Sequence, residues 1–271
     1  DVYVCDTWSK YNYEDGIDIE QVCTVEIKDS VFCYNEDQGI DLDDIGGDGE
    51  CAKDGGYEEP ECGLVVIKRV WAEKNYDDGL DIQCAGDVVL EDGNFNKNKD
   101  DGIRLSGIED LFIESLNATH NYDDGLDIRF TFDCWRAADD VCIDYAEFSY
   151  NGGEGIAMEL VDEVKIEEVS ANENGQDGLA VVAANYLDVY YAEFSENGDD
   201  GIDTDCVKTI YLDDVWAKDN YDDGVVVNVV FSEQASVERI CYSNVFIVHS
   251  EMNDNGRVGI RLRRVDVVKI I

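Results

Sequence analysis

Residues 75–79 read Asn-Tyr-Asp-Asp-Gly, and the same five residues return at 121–125 and at 220–224. In the broader form Asn-x-x-x-Gly, this unit occurs ten times, and six of the nine intervals between successive asparagines are 23 residues long. A fixed period that runs along a whole chain indicates a solenoid, in which each repeat is one structural unit. The repeated asparagines are Asn12, Asn35, Asn75, Asn98, Asn121, Asn151, Asn174, Asn197, Asn220 and Asn255.

Apolar residues alternate with polar ones inside each repeat. One pair lies one and three positions after the glycine, as in Leu80 and Ile82, and a second pair lies ten and eight positions before the asparagine, as in Val65 and Ile67. A weaker third pair of smaller residues lies five and three positions before the asparagine. Alternation with period two is typical of strands that bury one face. Three strands in each repeat therefore predict one coil of a parallel β-helix.

The sequence predicts an all-β protein, a parallel β-helix solenoid of about ten coils with three strands each, as a single domain over residues 1–271. Stacked asparagines are expected to form a ladder that satisfies backbone groups of the turn. The glycine of each repeat is expected to adopt a positive φ. Insertions are expected at about 43–62, 129–139 and 228–243. A leucine-rich solenoid is the main alternative, but the leucine signature and helix-forming stretches are missing.

With this repeat, the chain resembles the right-handed parallel β-helix repeat family, the pectate-lyase-like superfamily, over essentially its whole length. The resemblance implies a right-handed coil. It does not imply one function, because that architecture serves lyases, hydrolases, epimerases and structural proteins alike.

The charge of the chain disfavours several classes of partner. Its 271 residues include 64 Asp+Glu and 20 Lys+Arg, for a formal net charge of −44. Nucleic acid, an anionic membrane surface and a polyuronate substrate are disfavoured, because binding each of them requires basic residues. No apolar run reaches the roughly 20 residues of a membrane span. Ten cysteines and a first residue other than Met predict an extracellular protein with its leader removed, and a cytosolic protein with reduced thiols is the alternative.

Aspartates recur in the turn and on the outward face of the strand that follows it. Stacked carboxylates repel one another, and oxygen ligands suit Ca²⁺, so the sequence predicts sites for Ca²⁺ or another cation. A solvated acidic face is the alternative, and neither interpretation requires a cofactor. The candidate ligands are Asp15, Asp18, Asp78, Asp81, Asp124, Asp127, Asp200 and Asp203.

An apolar stripe is predicted on the outer face of the second strand, and tryptophans on that of the third. Such a stripe indicates contact with another subunit, cover by the insertions, or stacking of sugars. The chain also begins and ends in the same strand of the repeat, so its open edges are expected to pair with further copies. The predicted assembly surface is Tyr3, Val66, Val89, Phe112, Tyr211, Phe246, Trp8, Trp71 and Trp216.

Three disulfides are predicted from the phase of the cysteines within the repeat. Cys206 and Cys241 share one phase in adjacent coils, and Cys62 and Cys84 are one residue out of phase. Cys134 and Cys142 would close the short insertion, and the remaining four cysteines have no assigned partners.

The sequence thus predicts a secreted structural protein that polymerises with itself into a disulfide-hardened envelope layer, sheath or filament, with contact to wall polysaccharide. Composition and architecture resemble archaeal cell-envelope proteins, and more narrowly a subunit of the tubular sheath of filamentous methanogens. No catalytic or cofactor-binding residue is predicted, because the outward chemistry is evenly spread and His120 and His249 occupy ordinary turn or surface positions. The alternative is a secreted carbohydrate-active β-helix enzyme or polysaccharide-binding module, with a dependence on Ca²⁺.

Overall fold

The structure, a computed structural model, describes residues 1–46, 63–130, 138–228 and 243–271. Within these ranges every regular element is a β-strand. In chain order the strands are β1 (Val2–Cys5), β2 (Trp8–Lys10), β3 (Ile17–Glu20), β4 (Val25–Cys33), β5 (Ile40–Asp43), β6 (Val65–Trp71), β7 (Leu80–Gln83), β8 (Val88–Glu91), β9 (Ile103–Ser106), β10 (Leu111–Glu114), β11 (Leu126–Arg129), β12 (Ala138–Asp144), β13 (Ile156–Glu159), β14 (Val161–Glu167), β15 (Leu179–Val182), β16 (Tyr186–Tyr190), β17 (Ile202–Asp205), β18 (Thr209–Asp213), β19 (Val225–Asn228), β20 (Asn244–Val248), β21 (Ile260–Arg263) and β22 (Val267–Ile270).

Two parallel sheets run along the molecule. The odd-numbered strands from β3 to β21 form a 10-stranded sheet, here called the front sheet, and the other strands form a 12-stranded back sheet. Each strand pairs with the strand one repeat later, so that Leu80 lies beside Ile103 and Ile103 beside Leu126. Equivalent side chains therefore stack at the strand spacing of about 4.8 Å. The predicted parallel β-helix is confirmed.

Three full strands per coil were predicted, but the third side of most coils is shorter than a full strand. Its central coils are joined there by single parallel bridges, which run from Trp71 and Asn94 to Trp216 and Glu251. The corners explain the difference, because residues with positive φ end the extended backbone on both sides of this short segment. In one coil these residues are Asp92, with φ of 53°, and Lys97, with φ of 62°.

The prediction that the repeat glycine adopts a positive φ is wrong. Positive φ falls on the residue before each asparagine, for example His120 with φ of 60°. The glycine is needed for space instead. A Cβ on Gly79 would lie 2.6 Å from Nδ2 of Asn98 and 2.6 Å from the carbonyl oxygen of Gly102. The close approach of the asparagine to the turn thus excludes any side chain.

The core is a continuous column of aliphatic side chains between the two sheets, completed by phenylalanines from the third side. Four fully buried phenylalanines each lie three residues before a repeat asparagine: Phe32, Phe95, Phe148 and Phe194. Burial of this kind supplies the main driving force for folding. The three predicted insertions fall largely outside the described residues.

Replacing Phe148 with alanine is expected to lower the free energy of unfolding by roughly 3 kcal/mol, because the ring is fully buried and its removal leaves a cavity. Guanidinium unfolding monitored by circular dichroism measures the change. Tyr122→Ala, at a ring that is 80% exposed, is the matched control and should change stability by less than about 1 kcal/mol. Equal losses in both variants would contradict the assigned core.

Candidate functional site

The repeat asparagines form a ladder along the corner between the third side and the front sheet. The Asn121 side-chain nitrogen donates to Oδ1 of Asn151 at 3.1 Å and to the Phe95 carbonyl at 3.1 Å. The backbone nitrogen of Asn121 donates to the same Oδ1 at 2.9 Å. Equivalent side-chain bonds connect all ten asparagines, from Asn12 to Asn255. The ladder satisfies its own polar groups, so its role is structural.

A second ladder, made of carboxylates, runs beside the first on the residue before eight of the ten repeat glycines. Oδ1 of Asp78 accepts from the backbone nitrogen of Asp101 at 2.8 Å, and Oδ1 of Asp101 accepts from that of Asp124 at 2.8 Å. In the later coils Asp124, Asp177, Asp200 and Asp223 each accept from the backbone nitrogen of the equivalent residue one coil along. Burial, reinforced by neighbouring carboxylates, raises the pKa of Asp78 to about 8, of Asp101 to about 7 and of Asp124 to about 9.

Arginines interrupt the acidic outer face of the front sheet in its central coils. Arg104 lies between Asp81 and Asp127 in adjacent strands. The Arg129 guanidinium forms an ion pair with the buried Asp127 carboxylate. Nη1 of Arg104 lies 3.9 Å from Oδ2 of Asp78. Both guanidinium groups remain partly exposed, so they present donors to the outside of the sheet.

Further along the front sheet the outward side chains become small. Ala157 follows Asp127, Ala180 follows Ala157, and Asp203 follows Ala180 in successive strands. Oδ1 of Asp203 is buried and has no hydrogen-bond partner, and burial raises the pKa of this carboxyl to about 6. We call Arg104, Arg129, Ala157, Ala180 and Asp203 the shelf. It combines two small side chains with donors on one side and an acceptor on the other, and Asp127 lies between Arg104 and Ala157.

Exposed tyrosines line the corner beside the front sheet, one residue after the repeat asparagine. Their exposed fractions include 60% for Tyr76 and 76% for Tyr221. The Lys99 ammonium group lies 3.3 Å from the ring centroid of Tyr76. Rings that are apolar on their faces and polar at one end suit contact with amphipathic ligands. The tyrosine edge comprises Tyr13, Tyr76, Tyr122 and Tyr221.

The structure does not bring the predicted turn and strand aspartates together as cation ligands. Three carboxylate clusters lie in the turns, at Asp77, Asp78 and Asp100, at Asp100, Asp101 and Asp123, and at Asp177, Asp199 and Asp200. Each joins adjacent coils. The strand residues among the predicted ligands belong to none of the clusters found in the described part of the chain, and neither do Asp15 and Asp124. The strand residues are Asp18, Asp81, Asp127 and Asp203.

The predicted assembly residues lie on the outer faces of the back sheet and the third side. Tyr3 and Trp8 are strongly exposed, and Trp71 is 41% exposed. The others are half-buried among their neighbours in adjacent coils: Val66, Val89, Phe112, Tyr211, Phe246 and Trp216. Polymerisation through this surface stays a prediction.

The predicted disulfide between Cys134 and Cys142 is wrong, because Cys142 is a free thiol whose side chain points out of the back sheet between those of Phe112 and Lys165. Cys84 and Cys206 are disulfide-bonded. Cys62, Cys134 and Cys241 lie outside the described residues, so the pairings Cys62–Cys84 and Cys206–Cys241 stay predictions.

The two histidines lie away from the shelf. His120 stacks on Tyr150 with ring centroids 4.9 Å apart, at the corner before the asparagine ladder. Nδ1 of His249 lies 2.9 Å from Oδ1 of Asp213 at a corner of the back sheet. Neither ring joins the arginines of the front sheet. The shelf and the tyrosine edge are the features that the sequence analysis missed, although both follow fixed positions of the repeat.

A family model described as a right-handed β-helix region matches residues 134–237. No curated protein matches the chain. The search for transmembrane helices finds no candidate within the four described ranges. None of these comparisons supports the narrower resemblance to an archaeal sheath subunit.

Three solved structures share the fold at low sequence identity. A double mutant of the periplasmic alginate epimerase AlgG matches with a TM-score of 0.64 and 13% identity over 91% of this chain. The A-modules of the Azotobacter vinelandii mannuronan C-5 epimerases AlgE4 and AlgE6 match with TM-scores of 0.64 and 0.60, at 12% and 15% identity, over 99% and 94% of this chain. The chain spans 61% of the AlgG structure, 83% of AlgE4 and 68% of AlgE6. The protein is thus a right-handed parallel β-helix, similar in fold to these epimerases.

Proposed function

We propose that this protein is carbohydrate-active and holds an extended polysaccharide along the front sheet, with one sugar unit on the shelf. The observation that carries the proposal is the run of outward residues Arg104, Asp127, Ala157 and Ala180 on successive strands of the front sheet, with Arg129 two residues after Asp127. Ligand sites combine a largely apolar lining with a few well-placed polar groups that fix the orientation of the ligand. The outward residues of the front sheet are thus not the same in every coil, and the shelf is a local site in the central coils.

The polar groups of the shelf match those of a sugar. Guanidinium groups donate several hydrogen bonds in a fixed plane, and the free oxygen of Asp203 accepts one. A sugar ring carries hydroxyl groups that both donate and accept, with apolar C–H faces between them. The tyrosine edge borders the same face and offers rings at several coils, so contact extends along the axis beyond one sugar unit.

The similar structures support this direction. Their names give alginate and mannuronan as the polymers on which those enzymes act. From these enzymes we carry over to this chain two properties: a polysaccharide as the class of ligand, and a location outside the cytoplasm. The corresponding activity is enzymatic modification of the bound polymer. We expect the sugar to contact Arg104, Arg129 and Asp203. The proposal does not require self-assembly.

Replacing both Arg104 and Arg129 with alanine is expected to weaken polysaccharide binding at least tenfold, because each arginine supplies charge-assisted hydrogen bonds. Affinity electrophoresis in gels that contain alginate or a neutral soluble glucan measures retardation. Arg69→Ala is the matched control, because Arg69 is an exposed arginine that is ion-paired to Asp29 away from the front sheet. Absence of retardation in every gel, or an equal loss in the control, would contradict the proposal.

Nuclear magnetic resonance spectra of the polymer after incubation separate the two forms of the proposal. Altered sugar configuration or chain length identifies an enzyme. A bound but unaltered polymer identifies a binding module.

A further inference from the structure

We propose that two copies of this chain pair side by side, in antiparallel orientation, along the corner that carries the asparagine ladder. The contact is made by the residue directly before each repeat asparagine, and we call these ten residues the corner column. Every member has a φ between 55° and 64°. The inference does not rest on the proposed function. In chain order the corner column is Tyr11, Tyr34, Lys74, Lys97, His120, Tyr150, Glu173, Glu196, Asp219 and Asp254.

The side chains of the corner column are available to a partner. Nine of the ten residues are exposed, and Lys74 is half-buried. Within the four described ranges, no salt bridge involves a member of the column. The Lys74 ammonium group donates instead to the Tyr34 hydroxyl, at 2.9 Å. The column therefore presents charges that the chain does not neutralise by its own ion pairs.

The chemistry of the corner column changes once along the axis. Its first six members are aromatic or basic, and its last four are acidic. The corner that follows the back-sheet strands also takes positive φ, but its residues are not divided in this way. There Arg69 lies between Asp29 and Asp92 in successive coils, and His249 follows Asp214. The repeat and the backbone conformation alone thus do not produce the division.

A two-fold axis between the fifth and sixth coils places the two halves of the column against each other. It relates the fourth coil of one copy to the seventh of the other, and the third coil to the eighth. Lys97 then faces Glu173 of the second copy, and Lys74 faces Glu196 of the second copy. Each pair occurs twice, because a two-fold contact uses the same surface on both copies. The column is therefore complementary in charge to itself.

The position directly after the repeat asparagine supports the same pairing by its shape. The third, fourth and fifth coils carry Tyr76, Lys99 and Tyr122 there, whereas the sixth, seventh and eighth carry exposed glycines. The same axis thus brings large side chains of one copy onto glycines of the other. Tyr76 and Tyr122 belong to the tyrosine edge, so a second copy and a polysaccharide would compete for these rings. The glycines are Gly152, Gly175 and Gly198.

The corner is long enough for a stable contact. Ten coils about 4.8 Å apart give a strip about 43 Å long. A strip about 20 Å wide then buries the roughly 800 Å² per copy that is typical of specific interfaces. The net charge of −44 opposes association. In about 0.15 M salt, however, charges more than about 8 Å apart are largely screened, whereas the facing pairs are in contact.

Sedimentation velocity of the full chain in about 0.15 M NaCl tests the proposal. We expect the unchanged chain to form a dimer with a Kd below about 100 µM. Lys97→Glu and Glu173→Lys should each weaken dimerisation at least tenfold, because each creates two facing pairs of like charge. Both variants should fold, since both positions are exposed, and circular dichroism checks this.

An equimolar mixture of the two variants should regain the dimer, because every facing pair then joins opposite charges again. Lys208→Glu is the matched control and should leave the dimer unchanged, because Lys208 is an exposed lysine between β17 and β18, away from this corner. The proposal is overturned if the mixture sediments as single chains, or if dimerisation survives both single reversals, which would place the contact on another surface.

The remaining outcomes concern the unchanged chain. A chain that stays single at about 100 µM overturns the pairing. If such a chain is also retarded in alginate gels and Lys97→Glu abolishes the retardation, the basic half of the column binds an anionic polysaccharide instead of a second copy.

Discussion

Replacing Asn121 with alanine is expected to lower the free energy of unfolding by roughly 5 kcal/mol. The side chain receives two hydrogen bonds from Asn98, at 2.9 Å from its backbone nitrogen and 3.2 Å from Nδ2. It donates to Asn151 and to the Phe95 carbonyl. Truncation leaves the Asn98 backbone nitrogen and the Phe95 carbonyl unsatisfied, at a cost of about 1–3 kcal/mol each. It also removes one of two bonds from Nδ2 of Asn98 and from Oδ1 of Asn151, which keep the Ala72 carbonyl and the Asn121 backbone nitrogen as partners.

Guanidinium denaturation measures this loss as a lower midpoint at unchanged slope. Asn94→Ala is the matched control, because Asn94 is half-buried on the third side and its side chain accepts one bond, from Asn117 at 3.2 Å. Less than about 1 kcal/mol is expected there. A loss at position 121 no larger than the loss at position 94 would show that the ladder does not stabilise the fold.

In the presence of a chelator, the protein is expected to become markedly more stable as the pH falls from 8 to 5. Burial raises the pKa of Asp78 to about 8, of Asp124 to about 9 and of Asp177 to about 8 in the folded chain, against about 3.9 when unfolded. Between these values the folded state holds protons that the unfolded state has released, so stability decreases with rising pH.

The sign and the size of this effect are both measurable. The stabilisation is complete below about pH 4 and is lost as the pH rises through 8. Each carboxyl that is protonated in the folded chain and ionised in the unfolded chain lowers the free energy of unfolding by up to about 1.4 kcal/mol for each unit rise in pH. Urea unfolding at several pH values gives the slope, and Asp78→Asn should make it shallower. A stability that rises between pH 5 and 8 would show that these carboxylates are ionised and stabilised in the folded chain.

The repeat made the fold predictable, because the asparagine and glycine positions fix the register and the alternating apolar pairs fix which face is buried. The φ of the glycine was mispredicted for a physical reason. Glycine permits both a positive φ and a close approach, and the sequence does not distinguish them. At Gly79 the constraint is the 2.6 Å separation from Nδ2 of Asn98, whereas Lys97 and His120 take the positive φ despite their side chains.

The predicted cation ligands stay a prediction, and the structure groups carboxylates from the turns of adjacent coils more closely than those of a turn and the strand after it. In a solenoid Asp77 has a carboxylate neighbour in Asp100, which is 23 residues away and one coil along. Strand alternation instead aims the Asp81 side chain at the outer face of the front sheet. A repeat of known register therefore predicts neighbours best when equivalent positions are compared between coils.

The shelf, too, becomes visible only when equivalent positions are compared between coils. The sequence analysis considered only the aspartates at the outward position of the front sheet and did not consider Arg104, Ala157 and Ala180 at the same position. Because the outward chemistry was taken to be evenly spread, no catalytic residue was predicted. Once the strands are stacked in space, Arg104 and Ala157 flank Asp127 and Ala180 follows Ala157, so the three exceptions fall within four successive strands of one face.

The most direct test of the central claim is a crystal structure of the protein soaked with an oligosaccharide cut from the polymer that it retains in gels. The proposed function predicts a sugar unit over Ala157 and Ala180, with a polar group about 3 Å from the Arg129 guanidinium. Further units are expected along the front sheet toward the tyrosine edge. An oligosaccharide bound on the back sheet or on the third side, with the front sheet empty, would contradict the claim.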